Sequence, residues 1–160
     1  LLSEAGIQSP YIGGFNDTIE FDANGGLIVC TAPSEDYTVE QITRFDAENR
    51  VLYQKTLSAP KTIVSVTDAF PSADGSVTLY GTAMANSRKL FTVYRLDLDA
   101  QGNIAAVDIR DFTTRVGYLY DVRADAQGHI YAIACDYKKP IAVVPFEDLP
   151  AQDDPGLILE

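Results

Sequence analysis

Five short stretches of this chain share one chemistry and fall at matched intervals: Asp22-Ala23-Asn24-Gly25, Asp46-Ala47-Glu48-Asn49, Ser72-Ala73-Asp74-Gly75, Asp99-Ala100-Gln101-Gly102 and Asp125-Ala126-Gln127-Gly128. An Asp in first place can accept a hydrogen bond from the backbone N–H two residues on. A Gly in fourth place reaches positive φ without cost, and Asn49 is the next best residue for that conformation. Each tetrad therefore reverses the chain. They form two alternating series, one starting at residues 22, 72 and 125 and the other at 46 and 99, each recurring at about 50 residues. A degenerate member, Asp153-Asp154-Pro155-Gly156, stands where the second series returns. A repeat of this length, built on tight turns, restricts the chain to a row of small antiparallel sheets.

The segments between the turns read as strands. In the first unit these are Asp17 to Phe21, Leu27 to Cys30, Tyr37 to Phe45 and Val51 to Leu57, with a polar loop at Ala32 to Asp36. The second unit has Ile63 to Phe70, Val77 to Gly81, Leu90 to Leu96 and Ile104 to Ile109, with a loop at Ala85 to Arg88. The third has Tyr118 to Val122, His129 to Ala134 and Ile141 to Val144, and Leu157 to Leu159 is the candidate for its fourth strand. No stretch has a helical period. The expectation is one all-β domain over 1–160, a β-propeller-like array of about three four-stranded antiparallel blades with repeats near 15–58, 62–112 and 117–160. Nine Tyr, seven Phe and a 46% hydrophobic content suit a folded, strand-rich chain.

Asp121 to Ala134 resembles the blade core of bacterial β-propeller repeats, in which an Asp opens an inner strand, an Asp-x-x-Gly turn follows and an aromatic-rich strand returns. Arg44 to Tyr53 resembles the outer hairpin of the same unit, and the likeness covers most of residues 15–146. The chain lacks the Trp-Asp dipeptide of WD40 blades, a kelch Gly-Gly pair in register and the tryptophan docking motif of quinoprotein blades. The resemblance implies architecture more than activity, because propellers host enzymes, sensors and binding platforms alike. Three blades are fewer than the four to eight of closed propellers. The chain is then part of a longer propeller, or half of a two-copy ring, or closed by its own termini; the first is the favoured expectation and self-association the next.

A formal charge of −11 excludes nucleic acid and anionic membranes as partners, since phosphate binding needs clustered Lys and Arg. No apolar run reaches the length of a membrane helix and no signal peptide is visible. The chain opens on Leu1, so we expect a processed product or an excised piece. Cys30 and Cys135 fall in the first and third repeats, with a whole repeat between them, and two buried free thiols are expected, a bridge being the alternative if the repeats close up.

One histidine leaves little material for catalytic triads or His-rich zinc sites, and His129, directly after a turn glycine, reads as a solvated edge residue. No catalytic residue, metal or cofactor is assigned. The candidate ligand-binding residues are Asp17, Asp68 and Asp121, four or five residues before the first-series turns, together with Tyr118 and Tyr120. In the propeller reading the innermost strands line a channel, and the three carboxylates converge at one mouth, where they would raise one another's pKa or hold a cation. The simpler alternative is that each Asp bonds backbone at a strand start. The turns lack the dense oxygen ligands and closing Glu of a calcium loop, so turn chemistry accounts for them. Tyr11, Phe15, Tyr118, Tyr120, Tyr131 and Tyr137 offer surface for sugars or peptides or, alternatively, fill the core.

The leading functional expectation is a non-catalytic propeller-type module, extracellular or at the cell surface, presenting loops to a protein, glycan or small molecule. The alternatives are a propeller hydrolase or lyase using the three aspartates, and a sensor or accessory domain of a larger surface or transport protein.

Overall fold

A computed structural model describes residues 18–33, 38–85, 91–111, 118–125, 127–136, 139–154 and 156–160. The strands are β1 (Thr18–Phe21), β2 (Leu27–Thr31), β3 (Val39–Phe45), β4 (Val51–Ser58), β5 (Thr62–Pro71), β6 (Val77–Ala85), β7 (Phe91–Leu98), β8 (Ile104–Asp111), β9 (Tyr118–Ala124), β10 (Ile130–Asp136), β11 (Lys139–Pro145) and β12 (Ile158–Leu159). A single 3-10 turn, Phe146–Asp148, is the only helical element among the described residues. The chain is all-β, in three antiparallel sheets: β1-β2-β3-β4-β12, β5-β6-β7-β8 and β9-β10-β11.

The five tetrads are the hairpin corners. Their fourth residues have φ of 84°, 62°, 90°, 78° and 85° at Gly25, Asn49, Gly75, Gly102 and Gly128. In each corner the fourth residue's N–H bonds back to the first residue's carbonyl, at 2.9–3.2 Å. The Asp carboxylates act as read from sequence: Oδ1 of Asp22, Asp46, Asp99 and Asp125 accepts from the N–H two residues on and again from the N–H four residues on. Ser72 departs from this pattern. In its corner Asp74 takes over, accepting from the Ser76 N–H and hydroxyl.

Alternation along the strands sends side chains to two cores between the sheets, with the second sheet between the other two, while Ile19, Leu27, Val29 and Phe45 form a smaller cluster on the other face of the first. Ile28, Cys30, Ile42 and Leu57 meet Val64, Leu79, Tyr94 and Leu96 between the first and second sheets. Tyr80 and Val93 meet Val122, Ala132, Phe146 and Leu149 between the second and third. The first interface also buries two charged residues of β3, Glu40 and Arg44. Arg44 reaches the Asp22 carboxylate, so a turn aspartate doubles as the partner of a guanidinium that is 2% exposed. Burial pushes the Asp22 carboxyl up, but the Arg44 guanidinium and the Gly26 and Asn24 N–H groups outweigh it and hold the group below its usual range.

One expectation is corrected. Leu157 to Leu159 does not complete the third sheet, which has three strands; Ile158 and Leu159 pair with Ser58 and Leu57 on the outer edge of β4. The reason lies in the path of the chain after β11. Leu149 seats in the second core, the Asp111 N–H bonds Pro150 O at 2.8 Å, and the Gln152 N–H bonds Ile109 O at 3.0 Å, along the free edge of β8. The backbone then bonds Thr56 through Glu160 in both directions, at 2.8 and 3.0 Å, while Leu157 and Leu159 pack on the first core. The last dozen residues thus form a strap from the third sheet across the second to the first.

Candidate functional site

Strand β5 packs against both β1 and β9, which brings the inner strands of the three sheets together. Thr18 Oγ1 donates to Val66 O at 3.2 Å, tying β1 to β5. The register of β5 against β6 shifts between Val66 and Asp68, making Thr67 the extra residue of a bulge. Val64 and Val66 face the first core. After the bulge Asp68 stands opposite Tyr80, and Phe70 packs with the second core. The bulge therefore turns Asp68 away from the first core and toward the third sheet.

Asp68 is the one predicted aspartate whose side chain is described. It is 4% exposed, accepts the Ala69 N–H at 2.9 Å and pairs with Arg123 Nη1 of β9 at 2.9 Å. Its nearest work is to hold two inner strands together. Asp17, Tyr11, Phe15 and Tyr137 lie outside the described residues, as do the side chains of Asp121, Tyr118 and Tyr120. In the backbone register Asp121 is opposite Ile133 and Tyr118 opposite Cys135, and Tyr120 sits where that register shifts. The described residues bring Asp68 to Arg123, and the expected convergence of the three carboxylates lies outside them.

Two clefts open beside this pair. One, of about 370 Å³, is bounded by Glu20, Phe21, Asp68, Pro71 and Arg123. The other, of about 330 Å³, lies between the second and third sheets and is lined by Thr78, Tyr80, Arg95, Asp108, Ile130, Phe146 and Glu147. Phe70 and Ala124 line both. Three rings form an edge-to-face series under the second cleft: Phe70 to Tyr80 at 5.7 Å between centroids and Tyr80 to Phe146 at 5.3 Å. Phe146 arrives through the 3-10 turn after β11, and Arg110 lies over its ring at 5.6 Å.

The charges around this cleft are mostly spoken for. Arg95 holds Asp97 through Nε and Nη2, both at 3.0 Å, and Thr78 Oγ1 donates to the same carboxylate at 2.8 Å. Arg110 holds Asp108 through Nε and Nη2, both at 2.7 Å, and its Nη1 donates to Leu149 O at 3.0 Å. Two groups differ. Tyr80 is 3% exposed, lines the cleft, and its hydroxyl makes no hydrogen bond among the described residues. Burial pushes its phenol pKa up; Arg95 pulls it down, while Asp97, Asp108 and Glu147 add to the rise. The Glu147 side chain is exposed and takes no hydrogen bond among the described residues.

His129 is a solvated edge residue as expected, 62% exposed, with Nδ1 2.8 Å from Asp125 Oδ2. Cys30 is buried and free, and burial pushes its thiol far up, which suits packing and not nucleophilic use. The side chain of Cys135 lies outside the described ones. Sequence reasoning placed Phe70 and Tyr80 on strands but did not single them out. The signal it passed over was a pair of aromatics ten residues apart on strands joined by one turn. No protein-family model, no curated protein and no solved structure matches this chain.

Proposed function

We propose that this chain is a non-catalytic binding module whose three sheets are arranged in the manner of β-propeller blades, with the cleft between the second and third sheets as its ligand site. Adjacent inner strands, and corners that recur as a pair in the first two sheets and once in the third, support the blade reading. The observation that carries the binding reading is Tyr80: a ring packed in the second core whose hydroxyl, unbonded among the described residues, lines a cleft large enough for a sugar ring or an amino-acid side chain. A ligand group that bonds this hydroxyl gains a directed contact beside the aromatic series. The non-catalytic reading rests on Asp68, whose carboxylate is engaged by Arg123 and the Ala69 N–H.

Amide spectra of the 15N-labelled chain, titrated with monosaccharides, amino-acid amides and alkylamines, test the reading. Saturable shifts centred on Phe70, Tyr80, Ala124 and Phe146 are expected with one ligand class. Shifts confined to other surfaces with every class overturn it, and so does turnover of a ligand that disappears in Asp68→Asn with the fold retained.

A further inference from the structure

We infer that the ligand of this cleft carries a primary ammonium group on a short aliphatic stem. The inference rests on the cleft being the binding site, as proposed above, and concerns what it takes. Two guanidiniums, Arg95 and Arg110, stand against three carboxylates, Asp97, Asp108 and Glu147, which leaves one negative charge. Both guanidiniums and two of the carboxylates are already locked in pairs, so the excess resides on Glu147.

An incoming group therefore meets two open hydrogen-bonding positions, the Glu147 carboxylate and the Tyr80 Oη. A carboxylate accepts only, and the phenol oxygen can accept as well. An ammonium has three N–H donors and no acceptor, so it can serve both oxygens and keep one donor for water. A hydroxyl can donate to Glu147 and accept from the Tyr80 O–H, but it brings no positive charge to answer the carboxylate. An anion faces Glu147 with no free guanidinium to answer it. Beside the paired Arg95 and Asp108 and the Thr78 hydroxyl, Phe70, Ala124, Ile130 and Phe146 give an alkyl stem a wall to lie against. The net charge of −11 also raises the local concentration of small cations around the whole surface.

The same ammonium chemistry can come from a lysine side chain in a protein partner or from a free alkylamine, and a titration with two probes separates them. N-acetyl-lysine methylamide and n-butylammonium are each titrated into the 15N-labelled chain, beside n-butanol and butyrate at equal ionic strength. Both ammonium probes should shift Phe70, Ala124 and Phe146 amides saturably, and the two controls should bind at least about tenfold more weakly, the worth of one charge-assisted hydrogen bond. Tighter binding of the lysine amide assigns the source to a protein side chain, and tighter binding of butylammonium assigns it to a free amine. Glu147→Gln should weaken the ammonium probes about tenfold or more while leaving the spectrum folded. Tyr80→Phe, which keeps the ring, should weaken them by a smaller factor. Butanol or butyrate binding as well as the ammonium probes overturns the inference, as does an unchanged affinity in Glu147→Gln. A cleft that binds a sugar or an anion but no ammonium refutes this inference alone, whereas a cleft silent to every class refutes the binding reading beneath it.

Discussion

Replacing Gly81 by Ala should be among the most damaging single-methyl changes in this chain. Gly81 lies on β6, opposite Val66 of β5 on one side and Tyr94 of β7 on the other. A Cβ there would lie 2.0 Å from Ser65 O, 2.3 Å from Tyr94 Oη and 2.5 Å from Tyr94 Cζ. Neither neighbour can step aside cheaply. The Ser65 carbonyl is backbone beside the bulge, and Tyr94 is fully buried in the first core with its hydroxyl donating to that same carbonyl at 2.9 Å. Overpacking costs roughly 1–3 kcal/mol. Breaking the phenol–carbonyl bond and leaving a buried polar group unserved costs about 1–3 kcal/mol more. The sum is about 4 kcal/mol at its centre, which for a chain of this length lowers Tm by roughly 8–16 °C. Urea unfolding followed by calorimetry reads both values, with the m-value unchanged. Tyr94→Phe supplies the second arm, because it deletes the hydroxyl and its bond. In that background Gly81→Ala should cost about 1 kcal/mol less than in the parent, a coupling that a double-mutant cycle resolves. A Gly81→Ala variant within 1 kcal/mol of the parent, or two strictly additive changes, would refute the close-packing argument.

Two further outcomes follow from the charges. Asp22→Ala should cost about 3–5 kcal/mol in urea unfolding, because it strands the buried Arg44, whereas Asp46→Ala, which only loosens an exposed corner, should cost much less; equal losses would show that Arg44 does not depend on Asp22. The hydrogen bond that His129 Nδ1 donates to Asp125, with that carboxylate's charge, raises the His129 pKa, so the imidazole should titrate by NMR above the ordinary value of roughly 6.5 and fall back in Asp125→Asn. The sign follows: this pair favours the folded state fully below about pH 6.5, and its contribution fades as pH rises through the folded-state value. A His129 midpoint at or below 6.5 would remove the pair from solution.

The corners were legible because they are local. An Asp, its own backbone two and four residues on, and a fourth residue that tolerates positive φ contain the whole instruction, and the hairpins at Gly25, Asn49, Gly75, Gly102 and Gly128 follow from it. Glu40 and Arg44 were not legible as interior residues. They flank Ile42 on one face of β3, where charged residues read as solvent-facing, and only the second sheet's approach buries them. The bulge at Thr67 escaped for a related reason: a run of β-branched residues fits either face, and one inserted residue decides which core receives Asp68. The destination of Leu157 to Leu159 depends on an edge some hundred residues earlier, which no local pattern specifies. The cleft likewise needs Tyr80 and Phe146 from different sheets, and the three-residue turn that delivers Phe146 carries no periodicity of its own.

The strap of residues 149–160 gives the molecule an unusual order of manufacture. A chain emerging from a ribosome forms its sheets in sequence, yet the outer rim of the earliest one, at Thr56 to Ser58, receives its neighbour only when Ile158 to Glu160 arrive. During that interval the row of open amides and carbonyls on β4 can recruit any extended segment nearby, a hazard that grows with delay. Once Ile158 to Glu160 pair there, that rim is covered, and the strap ties it to the chain that leaves the third sheet.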